Sequence, residues 1–154
     1  IPVQELFDAA GKYFRKVTKN RTEKVELIIE PMDAKVIGDV NQLRFLFENL
    51  IDEALAVREE GVIRLQARKD NEYIRFLFTD TRREKSVTEL NQLFYPNLAR
   101  MTSGEKGELR GTEYLICKQI IRGHDEFAGR RGCRINAEPA EGGGFTVYFT
   151  IPRR

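Results

Sequence analysis

Residues 39–54 read DVNQLRFLFENLIDEA, and this stretch decides the fold. Gly38 and Asp39 provide a start signal, because aspartate is a preferred helix N-cap. Behind them the apolar residues recur at helical spacing and form one stripe: Leu43, Leu46, Phe47, Leu50 and Ala54. The pattern predicts an amphipathic helix that runs to about Glu59 and is stopped by Gly61.

The chain before this helix contains two further elements. Apolar residues at helical spacing from Pro2 to about Lys19 predict a first amphipathic helix. The run Val25 to Ile29 is short and rich in β-branched residues, and Pro31 follows it, so it predicts a strand. Val36 and the residue after it are expected to pair briefly nearby.

The chain after the helix alternates between hairpins and helices. Strand-like runs at Val62–Arg68 and Tyr73–Phe78 flank a turn-rich interval and predict a hairpin. A short helix is expected from about Val87 to Phe94, before Pro96. Residues 97–111 combine glycine, charge and few apolar anchors, and they predict a mobile segment.

The last third of the chain predicts one more helix and a closing hairpin. Helical spacing returns over Thr112–Arg122, a loop is expected over Gly123–Gly132, and Cys133–Ala137 with Phe145–Ile151 form the hairpin. Helices mixed with hairpins indicate an α+β fold, a two-layer α/β sandwich. We expect a mixed, mostly antiparallel sheet with three principal helices on one face, formed by residues 1–154 as a single domain.

Composition narrows the class of protein. The 154 residues suit one core, and the 26 basic and 24 acidic residues are spread along the chain, which argues against a nucleic-acid partner. The sequence shows no secretory leader or bilayer-spanning stretch, so we expect a soluble piece of a larger protein. Cys117 and Cys133 lack the spacing of disulfide frameworks or zinc sites, which suits a reducing, cytoplasmic location.

The order of short motifs is more specific than composition. Between the first helix and the final hairpin the chain contains residues 39–43, 48–54, 78–80 (Phe-Thr-Asp), 93–96 (Leu-Phe-Tyr-Pro), Gly111 and 118–121 (Lys-Gln-Ile-Ile). Over nearly the whole chain this order resembles the catalytic and ATP-binding domain of sensor histidine kinases, in the superfamily that includes gyrase, Hsp90 and MutL. The resemblance implies a Bergerat-type ATP-binding fold and a role in two-component signalling.

In that family a helix motif ending in Asn-Ala helps to hold the Mg²⁺ that bridges the ATP phosphates. Here the first Asn of the motif is Asn49, and the second is replaced by Glu53. The resemblance implies Asn49 and Glu53 as nucleotide contacts and Mg²⁺ ligands. Residues four apart share a helical face, and a carboxylate can bind a hard cation, but it repels a triphosphate when no metal intervenes. Without the resemblance, both residues would pass as ordinary solvated polar positions.

The family's next motif is Asp-x-Gly-x-Gly, in which Asp accepts a hydrogen bond from the adenine amino group. Asp80 stands at the end of its strand as this motif requires, so the resemblance implies a nucleotide contact there. Both glycines are missing, because Arg82 and Glu84 occupy their positions. Arg82 is long enough to fold into the adenine slot and to pair with Asp80.

The last motif is a glycine-rich lid before a helix, whose bare amides cradle the phosphates. When residues 118–121 are matched to the family, the three glycine positions fall on Leu109, Gly111 and Glu113. Only Gly111 is retained, and it is the fourth predicted nucleotide contact. Glu113 suits the helix dipole but competes for the place of a phosphate. Realigning the lid would bring in Gly104 or Gly107 instead.

His124 is the single histidine of the chain and Asp125 follows it, and a histidine followed by an acidic residue resembles a phosphoacceptor site. The family commonly has a histidine just after its last helix, so a loop role is expected for His124. The acceptor histidine is expected in a dimerisation helix pair outside this sequence, and no catalytic residue is predicted here.

Two functions fit these motifs. The first is a pseudokinase or interaction module with weak binding of ATP and Mg²⁺, which docks on a dimerisation and phosphoacceptor domain or on a response-regulator-type protein. The alternative is an active ATP-dependent protein-histidine kinase domain, whose chemistry would need mainly Mg²⁺ and positioning. We favour the first because three motifs are altered together. Contact with a membrane is expected only through other parts of the full protein, which would place this domain on the cytoplasmic side of a sensor.

Overall fold

The computed structural model describes residues 1–95, 112–129 and 131–154. In chain order its elements are α1 (Val3–Thr18), β1 (Val25–Ile29), α2 (Val40–Leu55), β2 (Gly61–Asp70), β3 (Tyr73–Asp80), α3 (Val87–Gln92), α4 (Glu113–Ala128), β4 (Ile135–Pro139) and β5 (Phe145–Pro152). The sheet has five strands in the order β1-β2-β3-β5-β4. β1 is parallel to β2, and the other neighbouring pairs are antiparallel.

The sheet has one apolar face, which α1, α2 and α4 cover. Alternate side chains of the central strands are buried: Ile63, Leu65 and Ala67 in β2, Ile74, Phe76 and Phe78 in β3, and Val147, Phe149 and Ile151 in β5. Residues between them, such as Arg64 and Arg75, are exposed on the other face. This period of two is what a sheet with one buried face requires. The predicted α+β fold, a two-layer sandwich with three principal helices on a mixed sheet, is confirmed.

Four phenylalanines join the helical layer to the sheet. Phe7 of α1 and Phe47 of α2 contact Phe76 of β3 edge to face, with ring centroids 5.9 and 5.8 Å away. Phe76 stacks on Phe149 of β5 with centroids 4.9 Å apart. Such pairs contribute about 0.5–1.5 kcal/mol each beyond their buried area. The core therefore holds together elements from both ends of the chain.

Helix α2 begins where the sequence predicts and ends earlier. Asp39 is the N-cap, and its Oδ1 accepts a hydrogen bond from the backbone N–H of Gln42 at 3.0 Å. The predicted end at Glu59 is wrong, because the helix stops at Leu55. At this end a side chain from outside the helix forms a hydrogen bond with a backbone carbonyl: Nη1 of Arg21 donates to the carbonyl oxygen of Leu55 at 2.7 Å.

Helix α4 extends six residues beyond the predicted Arg122, and the expected loop at Gly123 is helical instead. His124 explains the extension. It is 2% exposed, its Nδ1 donates to the carbonyl of Ile120 at 2.8 Å, and its Nε2 accepts from the backbone N–H of Asp39 at 3.1 Å. The predicted loop role of His124 is therefore wrong. The helix ends at Gly129, which has the left-handed conformation of a common C-cap.

The shorter elements agree with the sequence in position. The first hairpin turns at Asn71, which has a φ of 55°. Ser86 and Glu89 form a capping box at α3, which ends two residues before the predicted Phe94. Val36 pairs briefly as predicted, but its partner is Arg153 near the end of the chain and not the neighbouring β1.

None of the helices among the described residues is long and apolar enough to cross a membrane. The predicted mobile segment at residues 97–111, which includes Leu109 and Gly111, lies outside the described residues and stays a prediction.

Candidate functional site

The candidate site lies where β3 ends. Asp80, the last residue of β3, is 4% exposed. Nε and Nη2 of Arg82 donate to Oδ1 and Oδ2 of Asp80, each at 2.9 Å, and the Arg82 side chain is fully buried. The backbone N–H of Arg82 also donates to Oδ1, at 3.0 Å. The pairing of Arg82 with Asp80 that the sequence predicts is present, so both carboxylate oxygens already accept hydrogen bonds from within the chain.

The same guanidinium reaches the C-terminal end of α2. Nη2 of Arg82 donates to the carbonyl of Ala54 at 2.6 Å, and Nη1 donates to the carbonyls of Val57 and Glu59 at 3.3 and 3.1 Å. A buried ion pair stabilises a fold only when its remaining polar atoms are also hydrogen-bonded. This one meets that condition, and it ties β3 to the end of α2.

Two glycines make room for this arrangement. A Cβ on Gly61, which has a φ of +141°, would lie 2.6 Å from Cγ of Arg82. A Cβ on Gly144, with a φ of +82°, would collide with the carbonyl oxygen of Asp80. The backbone therefore approaches the Asp80–Arg82 segment more closely at both positions than any side chain would allow.

Asn49 and Glu53 lie one turn apart on α2. Asn49 is 5% exposed, and its Nδ2 donates to the carbonyl of Phe45 at 2.8 Å. The interpretation of Asn49 as a solvated surface position is therefore wrong. Glu53 is half-buried. Its negative charge acts on Cys117 of α4, which places Glu53 on the side of α2 that faces that helix.

Glu113 brings a second carboxylate to the same region. It is the first residue of α4, and its Oε2 is buried and accepts no hydrogen bond from the described residues. Burial raises the pKa of the Cys117 thiol, and the charges of Glu113 and Glu53 raise it further. Two carboxylates therefore lie near one thiol. Within the described ranges, no group of three or more His, Cys, Asp or Glu residues could hold a metal ion.

The charged groups around Asp80 are paired within the chain or are acidic. Oδ1 of Asp80 accepts two hydrogen bonds from Arg82, and Oδ2 accepts one. Glu53 and Glu113 add negative charge near Cys117, which would repel a phosphate that lacked a metal ion. Of the four predicted nucleotide contacts, the structure brings Asn49 and Glu53 onto one helix and puts Asp80 at the end of a strand, while Gly111 is not among the described residues.

Sequence patterns gave no indication of two residues at this site. Gly61 was expected only to stop a helix. The sequence did not indicate that this glycine has a positive φ and leaves room for the side chain of Arg82. Arg21 donates to the carbonyls of Leu55 and Val57, at 2.7 and 3.2 Å, next to the carbonyls that Arg82 holds. No local motif marks an arginine that caps a helix more than thirty residues away.

Comparison with known proteins agrees with this fold. Residues 38–154 match the family of histidine kinase-, DNA gyrase B- and HSP90-like ATPases. Over 151 residues the chain is 26% identical to the signal transduction histidine-protein kinase BaeS of Escherichia coli K12. That match covers 96% of this chain and 30% of BaeS, so the chain spans less than a third of this relative.

Several solved structures share the fold. The nucleotide-free catalytic domain of histidine kinase ThkA superposes with a TM-score of 0.74 at 20% identity, covering 99% of this chain and 94% of that one. The mycobacterial sensor histidine kinase MprB gives 0.71 at 19% identity, covering 100% and 96%. ThkA in complex with the response regulator TrrA gives 0.71 at 19% identity, covering 100% and 41%.

The family match extends over well more than half of the chain and includes both α2 and the strand that ends at Asp80. The fold is that of histidine kinase catalytic domains. This chain therefore belongs to the family of histidine kinase-, DNA gyrase B- and HSP90-like ATPases, as a domain of the histidine-kinase type.

Proposed function

We propose that residues 1–154 form one domain of a larger two-component signalling protein and that this domain acts as a pseudokinase. It keeps the ATP-binding fold, binds nucleotide weakly or not at all, and works through contacts with other proteins or domains. The observation that carries this proposal is the buried pair between Arg82 and Asp80. A nucleotide base would have to displace a guanidinium that is fully hydrogen-bonded.

The altered contacts are numerous enough to matter energetically. Arg82, Glu53 and Glu113 each replace a residue that the family uses for the base, the metal or the phosphates. An unmade hydrogen bond in a binding site costs about 1 to 3 kcal/mol, and about 1.4 kcal/mol is a tenfold change in affinity. Three such losses take a micromolar site to the millimolar range or beyond. Residual Mg²⁺ binding through Asn49 and Glu53 is part of the proposal, and it is expected to be weak.

The partners follow from the kind of protein in which such a domain occurs. ThkA has been crystallised with a response regulator. We propose a similar interaction for this chain: it docks on a response-regulator-type protein or on the dimerisation and phosphoacceptor domain of its own full-length protein. Its place is the cytoplasm, with any membrane contact made by other parts of that protein. Nucleic acid is not a proposed partner.

Calorimetry with Mg-ATP and with Mg-ADP tests the proposal directly. We expect a Kd no tighter than high micromolar and no detectable phosphorylation of a histidine kinase dimerisation domain added in trans. The matched control is the triple variant R82G/E53N/E113G, which restores the residues that the family uses and should gain measurable binding. A low-micromolar Kd for the unmodified chain would refute the pseudokinase proposal and favour the active kinase.

A further inference from the structure

Arg82 uses every donor that it has. A guanidinium carries five N–H groups in a rigid planar fork. Here the Nε hydrogen and one Nη2 hydrogen donate to the carboxylate of Asp80. The other Nη2 hydrogen donates to the carbonyl of Ala54, and the two Nη1 hydrogens donate to the carbonyls of Val57 and Glu59. Five donors therefore meet five acceptors at distances of 2.6 to 3.3 Å. Bidentate pairing of a guanidinium with a carboxylate is the usual way in which proteins recognise a planar donor.

The acceptors around Arg82 come from separate parts of the chain. Asp80 ends β3, whereas the three carbonyls belong to the last turn of α2 and the segment after it. Gly61 leaves the space in which the side chain lies. The carbonyls at a helix C-terminus carry partial negative charge, so together with the carboxylate they form a pocket of acceptors that favours a planar cation.

We propose that Arg82 is a built-in ligand: its guanidinium fills the slot beside Asp80 and joins β3 to the end of α2, so that these two elements are held together without a nucleotide. The inference rests on the proposed function and concerns the regulation of the same site. The slot is retained in this chain and is permanently filled. It takes planar N–H donors as a class, that is, guanidinium ions first and aminopurines second.

An ion pair that only supports the fold would have the same geometry, so a loss of stability on mutation does not separate the two. A ligand site makes a further prediction. When the built-in ligand is truncated, the empty slot must accept an external molecule of the same chemistry. A guanidinium ion can refill the cavity that any buried arginine leaves, so its binding is required by the inference but does not establish it. A response to an aminopurine distinguishes the two, because a purely structural pair gives no reason for it.

The experiment compares the unmodified chain with R82A and with the double variant D80N/R82A, by thermal unfolding followed with far-UV circular dichroism. Each protein is titrated with ethylguanidinium chloride at low millimolar concentration, and with ethylammonium chloride as the control for charge and salt. A third titration uses adenosine, because adenosine lacks the phosphates that the charges of Glu53 and Glu113 would repel. We expect ethylguanidinium to raise the Tm of R82A by about 3 to 6 °C at ten times its Kd. Adenosine should give a smaller rise, and the unmodified chain and D80N/R82A should not respond.

The outcomes are separable from those of the proposed function. The built-in ligand is refuted if R82A responds to ethylguanidinium no more than the unmodified chain does, and equally if it responds to ethylguanidinium but not to adenosine; in both cases the pseudokinase proposal is untouched. Tight Mg-ATP binding by the unmodified chain would instead refute the pseudokinase. Should R82A fail to fold alone, its refolding yield from urea with and without adenosine decides the same question: a higher yield supports the inference, and equal yields overturn it.

Discussion

Replacing Gly61 with alanine should destabilise the domain more than any ordinary Gly-to-Ala change in a strand. Gly61 has a φ of +141°, a region that only glycine adopts without strain, and an added Cβ would lie 2.6 Å from Cγ of Arg82. The backbone strain costs about 1 to 3 kcal/mol. Moving Arg82 aside also weakens hydrogen bonds to a buried carboxylate. We expect a total loss of about 2 to 4 kcal/mol in the free energy of unfolding.

The measurement is urea unfolding followed by far-UV circular dichroism, because the chain contains no tryptophan to report by fluorescence. In a thermal experiment the same loss lowers the Tm by about 5 to 15 °C for a domain of this size. Gly123→Ala is the matched control. Gly123 lies in α4, and a Cβ there would meet nothing within 4 Å. We expect this variant to gain about 0.5 to 1 kcal/mol, from helix propensity.

The two variants make the same chemical change with opposite expected signs. If Gly61→Ala is as stable as the unmodified chain, then Arg82 and the backbone at position 61 are not held as the structure shows. The argument that this glycine makes room for the buried guanidinium would then fail.

Three further expectations follow from buried polar groups. His124→Ala removes two hydrogen bonds and should cost about 2 to 4 kcal/mol in unfolding free energy; a near-neutral effect would contradict its buried role. Burial raises the pKa of Cys117, and Cys133 is also buried, so neither thiol should react with a disulfide reagent until denaturant is added; rapid labelling of the folded chain would contradict this. Burial alone would raise the pKa of Asp125, but hydrogen bonds from the backbone N–H groups of Cys133 and Gly132 outweigh it and hold that pKa below its usual value. The contribution of Asp125 is therefore complete above about pH 4 and is lost as pH falls through the folded-state pKa. Asp125→Ala should be destabilising at neutral pH and approach the unmodified chain in acid, and a constant difference would refute this.

The fold could be predicted because its elements are encoded locally. The stripe on α2, its N-cap Asp39 and the strand patterns around Asn71 each lie within one short window of sequence. The boundaries that failed depend on distant residues. Helix α2 ends at Leu55, where the backbone carbonyls accept hydrogen bonds from the side chains of Arg21 and Arg82. No local pattern in the sequence contains that information.

The end of α4 also depends on distant residues, but here the helix is longer than predicted instead of shorter. Gly123 in a sequence suggests a stop, since glycine weakens a helix by about 1 kcal/mol. The hydrogen bonds of His124 to Ile120 and Asp39 offset that cost, and the helix continues to Gly129. A tertiary contact thus overrides a local propensity.

The site was predictable in part for a different reason. Asp80 could be placed because it ends a strand, and the pairing with Arg82 follows from charge and reach over two residues. The acceptors at Ala54, Val57 and Glu59 could not, because they are backbone atoms, whose positions no side-chain pattern reports. A residue-by-residue comparison of motifs therefore finds Arg82 where the resemblance leads us to expect a glycine, but not how many hydrogen bonds that arginine makes.

The core and the site draw on different residues, and this separation explains how the fold can persist while the site changes. The phenylalanine cluster of Phe7, Phe47, Phe76 and Phe149 joins both ends of the chain without any nucleotide-contacting residue. A ligand that binds only the folded state adds to its stability by mass action, so a domain that no longer binds its nucleotide loses that contribution. An internal cation at the same place can replace it, because its effective concentration is fixed by the chain and does not vary with the supply of nucleotide. Under the proposed pseudokinase function, Arg82 therefore replaces a ligand-dependent contribution to stability with a permanent one, which is the state that a docking module requires.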